Sequence, residues 1–414
     1  MPVLQFFSMV QVQLFKLIII FVLIIGLVLL KRPLGQAILA SALATILLFG
    51  IPAQEALRIC VRSLYEKDTI ILIVNFLLVI FLQRTMENRR LLERAELALQ
   101  RLSGNRRLVC IAAPVIIGFL PSAGAVNICG KIIDDILGSD LSVPEKTFVA
   151  SYYRHISESF SPTYNAVILA LSLTGIATGS FVMCMLPLVL ILLCLGYVFY
   201  LRKIDAGLSV KHEDYDTREE YRQLIYCFWP LAACILIVIT FNISIMIVLP
   251  CIIVAAIIVY KLSAEEILRF AKSSFETRII FNTIILMMFK NLISYTGVME
   301  NIPVLFEKAP LPLFVSFGML MLFGTIISGA NAMIVLIIPL AFSAFPGAGT
   351  PLLVFLMALS YIAMQISPTH ICLAVITEYF HVSWAELVAR TLPVAVSFIV
   401  IVHLYYLLLV SLGL

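Results

Sequence analysis

The sequence predicts an all-α polytopic membrane protein made of two inverted-topology repeats. Each repeat is expected to hold about five transmembrane helices, one re-entrant hairpin and one broken helix. Three observations carry this expectation. The 414 residues are 62% hydrophobic and 13% charged, with a mean hydropathy of +1.09, against roughly 45–50% apolar and about 25% charged in a soluble domain. Two polar motifs recur at one offset: Ser161-Pro162-Thr163 and Ser367-Pro368-Thr369 lie 206 residues apart, and so do Ser122 and Ser328, each in a Gly/Ala-rich stretch. The 28 Lys and Arg residues also divide unevenly once the chain is threaded through a bilayer. Such a composition excludes a soluble enzyme, a disordered chain and a fibre. A transmembrane barrel would alternate in roughly ten-residue segments at a much lower mean hydropathy.

The elements follow from the apolar runs and what interrupts them. The first run, near 10–30, ends in Lys31-Arg32-Pro33 and has neither a basic leader nor a small-residue cleavage site, so it reads as a retained span. A second span covers 34–51, a polar connector follows, and a third span covers 69–85. Residues 86–107 have the charged, amphipathic pattern of a helix on the membrane surface. The stretch 108–137 is interrupted at Pro121-Ser122-Ala123-Gly124 and reads as a hairpin. The stretch 144–176 is broken at Ser161-Pro162-Thr163, and a span at 180–201 closes the first repeat, residues 1–206. After the charged linker 202–222 the pattern returns in the second repeat, residues 207–414. The run 224–260 is too long for one span and holds Asn242 near its middle, so it divides in two; a connector at 261–278 and a span at 279–295 follow. Next come a hairpin at 311–345 with its break at Ser328-Gly329-Ala330-Asn331, a helix at 350–380 broken at Ser367, and a final span at 385–411.

If 108–137 enters and leaves on one side, each half makes an odd number of crossings and the second half is inverted. With the amino terminus outside, inner loops hold 21 Lys and Arg, outer loops hold 5, and Lys16 and Arg154 lie in membrane stretches. The opposite orientation would violate the positive-inside rule. Both termini are therefore expected outside and the basic loops in the cytoplasm. The net charge of +4 reports orientation here; the expected partners are a lipid bilayer and a small anionic substrate, not nucleic acid.

Helices that stop in mid-membrane are costly unless they line a cavity or meet a ligand. Ser is a good N-cap and Pro fits the first helical position, so helices are expected to begin at Ser161 and Ser367. Four helix ends brought together would suit an anion, and their broken carbonyls would suit Na⁺. The expected substrate-binding residues are Ser122, Gly124, Asn127, Ser328 and Asn331 at the hairpin tips. At the breaks they are Ser161, Thr163, Asn165, Ser367, Thr369 and His370. Arg154, His155 and Glu158 are the ionisable residues of the first broken stretch and are functional candidates for that reason. Arg154 shares a helix face with Glu158 and either pairs with it or attracts an anion; Glu158 or His155 could carry a coupling proton. Ser360, Tyr361 and Met364 stand at the corresponding second-half positions, so any such role is asymmetric.

His370 is expected to line the site as a polar group and not to hold a metal, because no other His or Cys stands at ligand spacing. The nine Cys are scattered, none as Cys-x-x-Cys, and read as small packing residues. Phosphate-loop, zinc-protease and nucleophile-elbow motifs are missing from the sequence. No cofactor is expected beyond H⁺ or Na⁺ as a coupling ion. The residues point to a secondary active transporter of a small organic anion rather than an enzyme. Two alternatives stay open: an intramembrane enzyme using His155, Glu158 and His370 on a lipid-linked substrate, and a channel or membrane subunit of a larger complex.

At these motifs the chain resembles the ion transporter superfamily of citrate, dicarboxylate, gluconate and arsenite carriers. LPSAGAVN, SYYRHISESFSPTYN and SPTHICLAVITEYFHVSW are similar more closely to a prokaryotic membrane family, domain of unknown function 401. The resemblance implies secondary transport, an elevator movement of hairpins and broken helices against a scaffold, a prokaryotic inner membrane and a homodimer. Dicarboxylate carriers of the superfamily use Ser-Asn-Thr-type motifs where this chain has Ser-Pro-Thr.

Overall fold

A computed structural model describes residues 2–119, 123–207, 216–298, 311–345 and 347–413. Its regular elements are helices, with no strand among the described residues. Five helices open the chain: α1 (Pro2–Leu29), α2 (Leu34–Phe49), α3 (Ala53–Tyr65), α4 (Lys67–Asn88) and α5 (Leu91–Leu102). Then come α6 (Arg106–Ile117), α7 (Ala123–Leu137), α8 (Val143–Ile156), α9 (Asn165–Thr174) and α10 (Thr178–Phe199). The second half has α11 (Thr217–Phe241), α12 (Ile245–Val259), α13 (Ala264–Ser274) and α14 (Thr277–Tyr295). It ends with α15 (Leu313–Ser328), α16 (Ala330–Ala344), α17 (Thr350–Met364), α18 (Ile371–Tyr379) and α19 (Trp384–Ser411).

Helices α4, α10, α11, α14 and α19 are long and apolar enough to cross a membrane, for which about 20 residues are needed. Their outer faces carry exposed Leu190, Leu236 and Val400, and Leu47 of α2 is 80% exposed. Side chains of this kind belong against lipid and not water. The run 224–260 divides as expected, with Asn242 in the left-handed conformation (φ 49°) between α11 and α12. Asn tolerates that backbone better than most residues because its short amide bonds locally.

The helices sort into two groups by packing. In one, α2 lies against α1 and α14, α3 against α14, α4 against α12 and α13, and α5 along α11. In the other, α6 and α7 flank α8, α15 packs on α16 and α17, and α18 rests on α7 and α8, while α19 covers α8 and α17. Each group therefore mixes elements from the two halves of the chain.

Two expectations need correction. Helix α5 buries Leu91, Leu92, Ala95 and Ala98 against α11. These apolar residues are thus covered by protein, by α11, and not by lipid. The helices after the breaks begin at Asn165 and Ile371, not at Ser161 and Ser367. Ser161 Oγ lies 2.8 Å from Thr163 Oγ1, and Tyr164 N donates to Ser161 O at 3.1 Å. At the second break Ser367 Oγ lies 2.8 Å from Thr369 Oγ1 and accepts from Thr369 N at 3.2 Å. Each Ser thus closes a side-chain turn, a conformation that competes with helix capping. Pro162 and Pro368 sit within that turn, and the helix starts four residues after the Ser.

Candidate functional site

A cavity of about 630 Å³ opens between the two helix groups. From the first group it is lined by Arg32, Ile80, Gln83, Arg84 and Glu87, and by Glu276 and Ile279. From the second come Glu158, Ser159, Tyr164, Asn165, Ser328, Gly329, Asn331, Ser360, Tyr361 and Thr369. Its size is that of a small-molecule site.

The first turns of three helices meet here. Asn165 and Ala166 begin α9, Ala330 and Asn331 begin α16, and Ile371 begins α18 behind Thr369. First-turn N–H groups lack partners within their own helix and carry the positive end of its dipole. Gly329 makes the turn between α15 and α16 with φ 84°, a backbone that a side chain would strain. Ser328 Oγ donates back to Gly324 O at 2.8 Å. Tyr361 is 7% exposed and lines the cavity, yet its hydroxyl has no hydrogen-bond partner. A buried hydroxyl without a partner marks a position where a ligand atom or water is needed.

Behind the cavity wall lies a charged cluster. Arg154 is fully buried, and its NH1 lies 3.3 Å from Glu158 Oε1, 3.1 Å from His155 Nε2 and 3.7 Å from Cys372 Sγ. The Glu158 side chain, 22% exposed, reaches the cavity. His155 Nδ1 lies 2.6 Å from Ser151 O. A carbonyl only accepts, so Nδ1 carries the proton and Nε2 accepts from Arg154. The rings of His155 and His370 meet edge to face at 4.7 Å, and His370 Nδ1 faces Met364 O at 3.1 Å. Tyr164 donates its hydroxyl to Gly118 O and ties the break to the end of α6.

Sequence spacing gave His370 no companion, but space does: ligand atoms of His155, His370 and Cys372 lie within 4.8 Å of one another. The grouping does not fit a metal ion as it stands. Arg154 NH1 already reaches His155 and Cys372 at the distances above, and the guanidinium takes the place a cation would occupy. A second positive charge beside it, away from water, would be strongly disfavoured.

Of the expected site residues, Glu158, Asn165, Ser328, Asn331 and Thr369 line the cavity. Ser161, Thr163 and Ser367 are buried behind it and hold the turns. Arg154 and His155 form the cluster. His370 joins that cluster and faces a second cavity with Glu378 and His381. Asn127 is exposed on α7 and is not among the lining residues, and Gly124 falls in the first turn of α7. Ser122 lies outside the described residues. The sequence reading missed Tyr361, whose only signal was its place 206 residues after His155. It also missed the charges at the mouth, where Arg84 pairs with Glu87 at 3.1 Å and with Glu276 at 3.2 Å.

A family model described as "Protein of unknown function (DUF401)" matches residues 12–409. No curated protein matches the chain.

Proposed function

The chain belongs to the DUF401 family, and from the geometry of its cavity we propose that it is a secondary active transporter of a small organic anion, coupled to H⁺ or Na⁺. One observation carries the reading. Both breaks and the second hairpin tip, far apart in sequence, supply first-turn N–H groups and small polar side chains to one cavity between two helix groups. Helix starts directed at one point are an anion site in physical terms. A cavity between two packed groups is where alternating access by relative movement would operate. The group holding the breaks would be the moving part and the group of α1–α5 and α11–α14 the scaffold.

Helix lengths support the hairpin and inverted-repeat reading. Helices α6, α7, α15 and α16 have 12, 15, 16 and 15 residues, less than the roughly 20 of a crossing. Helix α18 begins 206 residues after α9, and α19 begins 206 after α10. The basic loops then lie in the cytoplasm and the termini outside. Glu158, at the cavity wall and paired with Arg154, is the residue that would take a coupling proton or sit beside a coupling Na⁺.

The test is thermal stability of the purified chain against gluconate, citrate, succinate, lactate, sulfate and arsenite, with and without Na⁺ and at two pH values. Uptake into proteoliposomes follows. An anion at about 100 times its Kd should add roughly 2.7 kcal/mol to the folded state. Asn331→Ala should abolish uptake at nearly unchanged stability, whereas Asn127→Ala, outside the lining, should leave uptake near the unmodified level. Normal uptake by Asn331→Ala would overturn the site.

A further inference from the structure

Resting on the transport reading above, we infer that the transported anion is a monocarboxylate with a short aliphatic tail, and that the tail enters a separate apolar pocket. A pocket of about 100 Å³ opens off the main cavity and shares Leu34, Asn165, Ile279 and Asn331 with it. Beyond that junction its wall is Ile38, Phe76, Leu169, Leu286 and Val335, all buried. Thr283 also lines it, but its hydroxyl is spent on Ile279 O at 2.8 Å. A water at the far end would not find the two to four polar partners that hold water in a protein interior. Such a space favours an apolar occupant.

The junction has the opposite chemistry. The amides of Asn165 and Asn331 stand at it, that of Asn282 lines the small pocket, and the first turns of α9 and α16 begin at it. Among the described residues none of the three amides has a side-chain hydrogen-bond partner. Tyr361, which lines the main cavity that adjoins it, keeps a buried hydroxyl without a partner. A carboxylate is acceptor-only and matches this set of donors. A carboxylate at the Asn165 and Asn331 amides places the next carbons into the apolar pocket. At roughly 30 Å³ for each water-sized group, the pocket holds about three or four carbon atoms. A dicarboxylate of similar length would bury its second charge among Leu169, Leu286 and Val335, where no counter-charge waits.

The test is a chain-length series on the full-length protein in detergent, with affinity read from thermal shift and calorimetric titration. The probes are acetate, propanoate, butanoate, pentanoate, hexanoate and octanoate, with succinate and 1-butanol for comparison. Affinity should tighten about fourfold for each added methylene up to butanoate or pentanoate and then level off or fall. Butanol should bind far more weakly. Val335→Phe, which fills the pocket, should flatten the series while leaving acetate unchanged. The unmodified series decides the matter even if that variant fails to fold. Succinate binding as tightly as butanoate, or an affinity that is flat along the series, would overturn this inference and leave the anion reading standing. An affinity that climbs without limit through octanoate, or an equal gain with butanol, would show general partitioning and overturn it too. Binding of no anion at all would remove both readings together.

Discussion

The two breaks in the molecule bend the chain in the same way and carry opposite chemistry. Both use a Ser-Pro-Thr turn in which the Ser and Thr hydroxyls meet at 2.8 Å, and both release a short helix four residues after the Ser. One turn before the first, Arg154, His155 and Glu158 form a buried charged cluster. At the same register before the second stand Ser360, Tyr361 and Met364, all three on the cavity wall. Ser360 Oγ meets Thr325 Oγ1 at 3.3 Å, and Tyr361 keeps an unpartnered hydroxyl. The first break thus brings a charge that needs its partner, and the second brings neutral donors that can wait for a ligand. Backbone geometry and site chemistry are separable: the turn depends on two hydroxyls and a proline, and the chemistry depends on what precedes it.

The sharpest way to break this contrast is to remove the carboxylate. Glu158→Ala removes the carboxylate that stands 3.3 Å from the buried Arg154 guanidinium, and loss of one partner of a buried pair costs up to about 3–5 kcal/mol. Met364→Ala, at the matching register, loses only partly buried apolar contact and should cost about 1 kcal/mol. Replacing both members, Arg154→Met with Glu158→Leu, should recover most of the loss, because the charge no longer needs a partner. Unfolding in detergent checks all three. Equal losses for Glu158→Ala and Met364→Ala would mean that the charge does not distinguish the two breaks.

Much of this architecture is legible in the sequence. The helical class followed from hydropathy, and the breaks followed from polar residues in apolar runs. The division at Asn242 followed from a run too long for one span. What failed was local or three-dimensional. Ser161 reads as an N-cap because Ser before Pro usually is one, and nothing in the one-dimensional pattern shows that its hydroxyl is closer to Thr163. Helix α5 reads as a surface helix because amphipathicity says only that one face is covered, not by what. The meeting of His155 with His370 and Cys372 joins residues more than 200 positions apart, beyond any spacing rule for ligands. Tyr361 was visible as a counterpart of His155, but a lone Tyr in an apolar helix gives no sign that its hydroxyl is left without a partner.

A pair of glycines sharpens the comparison at smaller cost. Gly118 and Gly324 also lie 206 residues apart, one just after the end of α6 and the other near the end of α15. A Cβ on Gly118 would collide with Arg154 O and stand 2.5 Å from Ser157 Oγ. Backbone cannot step aside there, since Arg154 is pinned by its cluster and Tyr164 bonds to Gly118 O. A Cβ on Gly324 would meet the thioether end of Met333, and that flexible end can swing away. Gly118→Ala should cost about 2–3 kcal/mol and Gly324→Ala about 1 kcal/mol or less. The same unfolding measurement ranks them. A reversed order would place the rigid contact at the second break.

The smallest effect comes from the turn serines themselves. Ser367 Oγ bonds Thr369 and also donates to Ile326 O at 2.7 Å, which ties the second break to α15. Ser161 Oγ bonds only within its own turn, and the tie to α6 is made by Tyr164 instead. Ser367→Ala therefore leaves a carbonyl of α15 without that donor and should cost about 1 kcal/mol. Ser161→Ala should cost about half as much, since only the turn's own bond is lost. Tyr164→Phe is the matching deletion in the first half and should equal or exceed Ser367→Ala, because the hydroxyl it removes serves a buried carbonyl. If Ser161→Ala were the costlier serine change, the turn itself and not its anchor to the neighbouring helix would be holding the break.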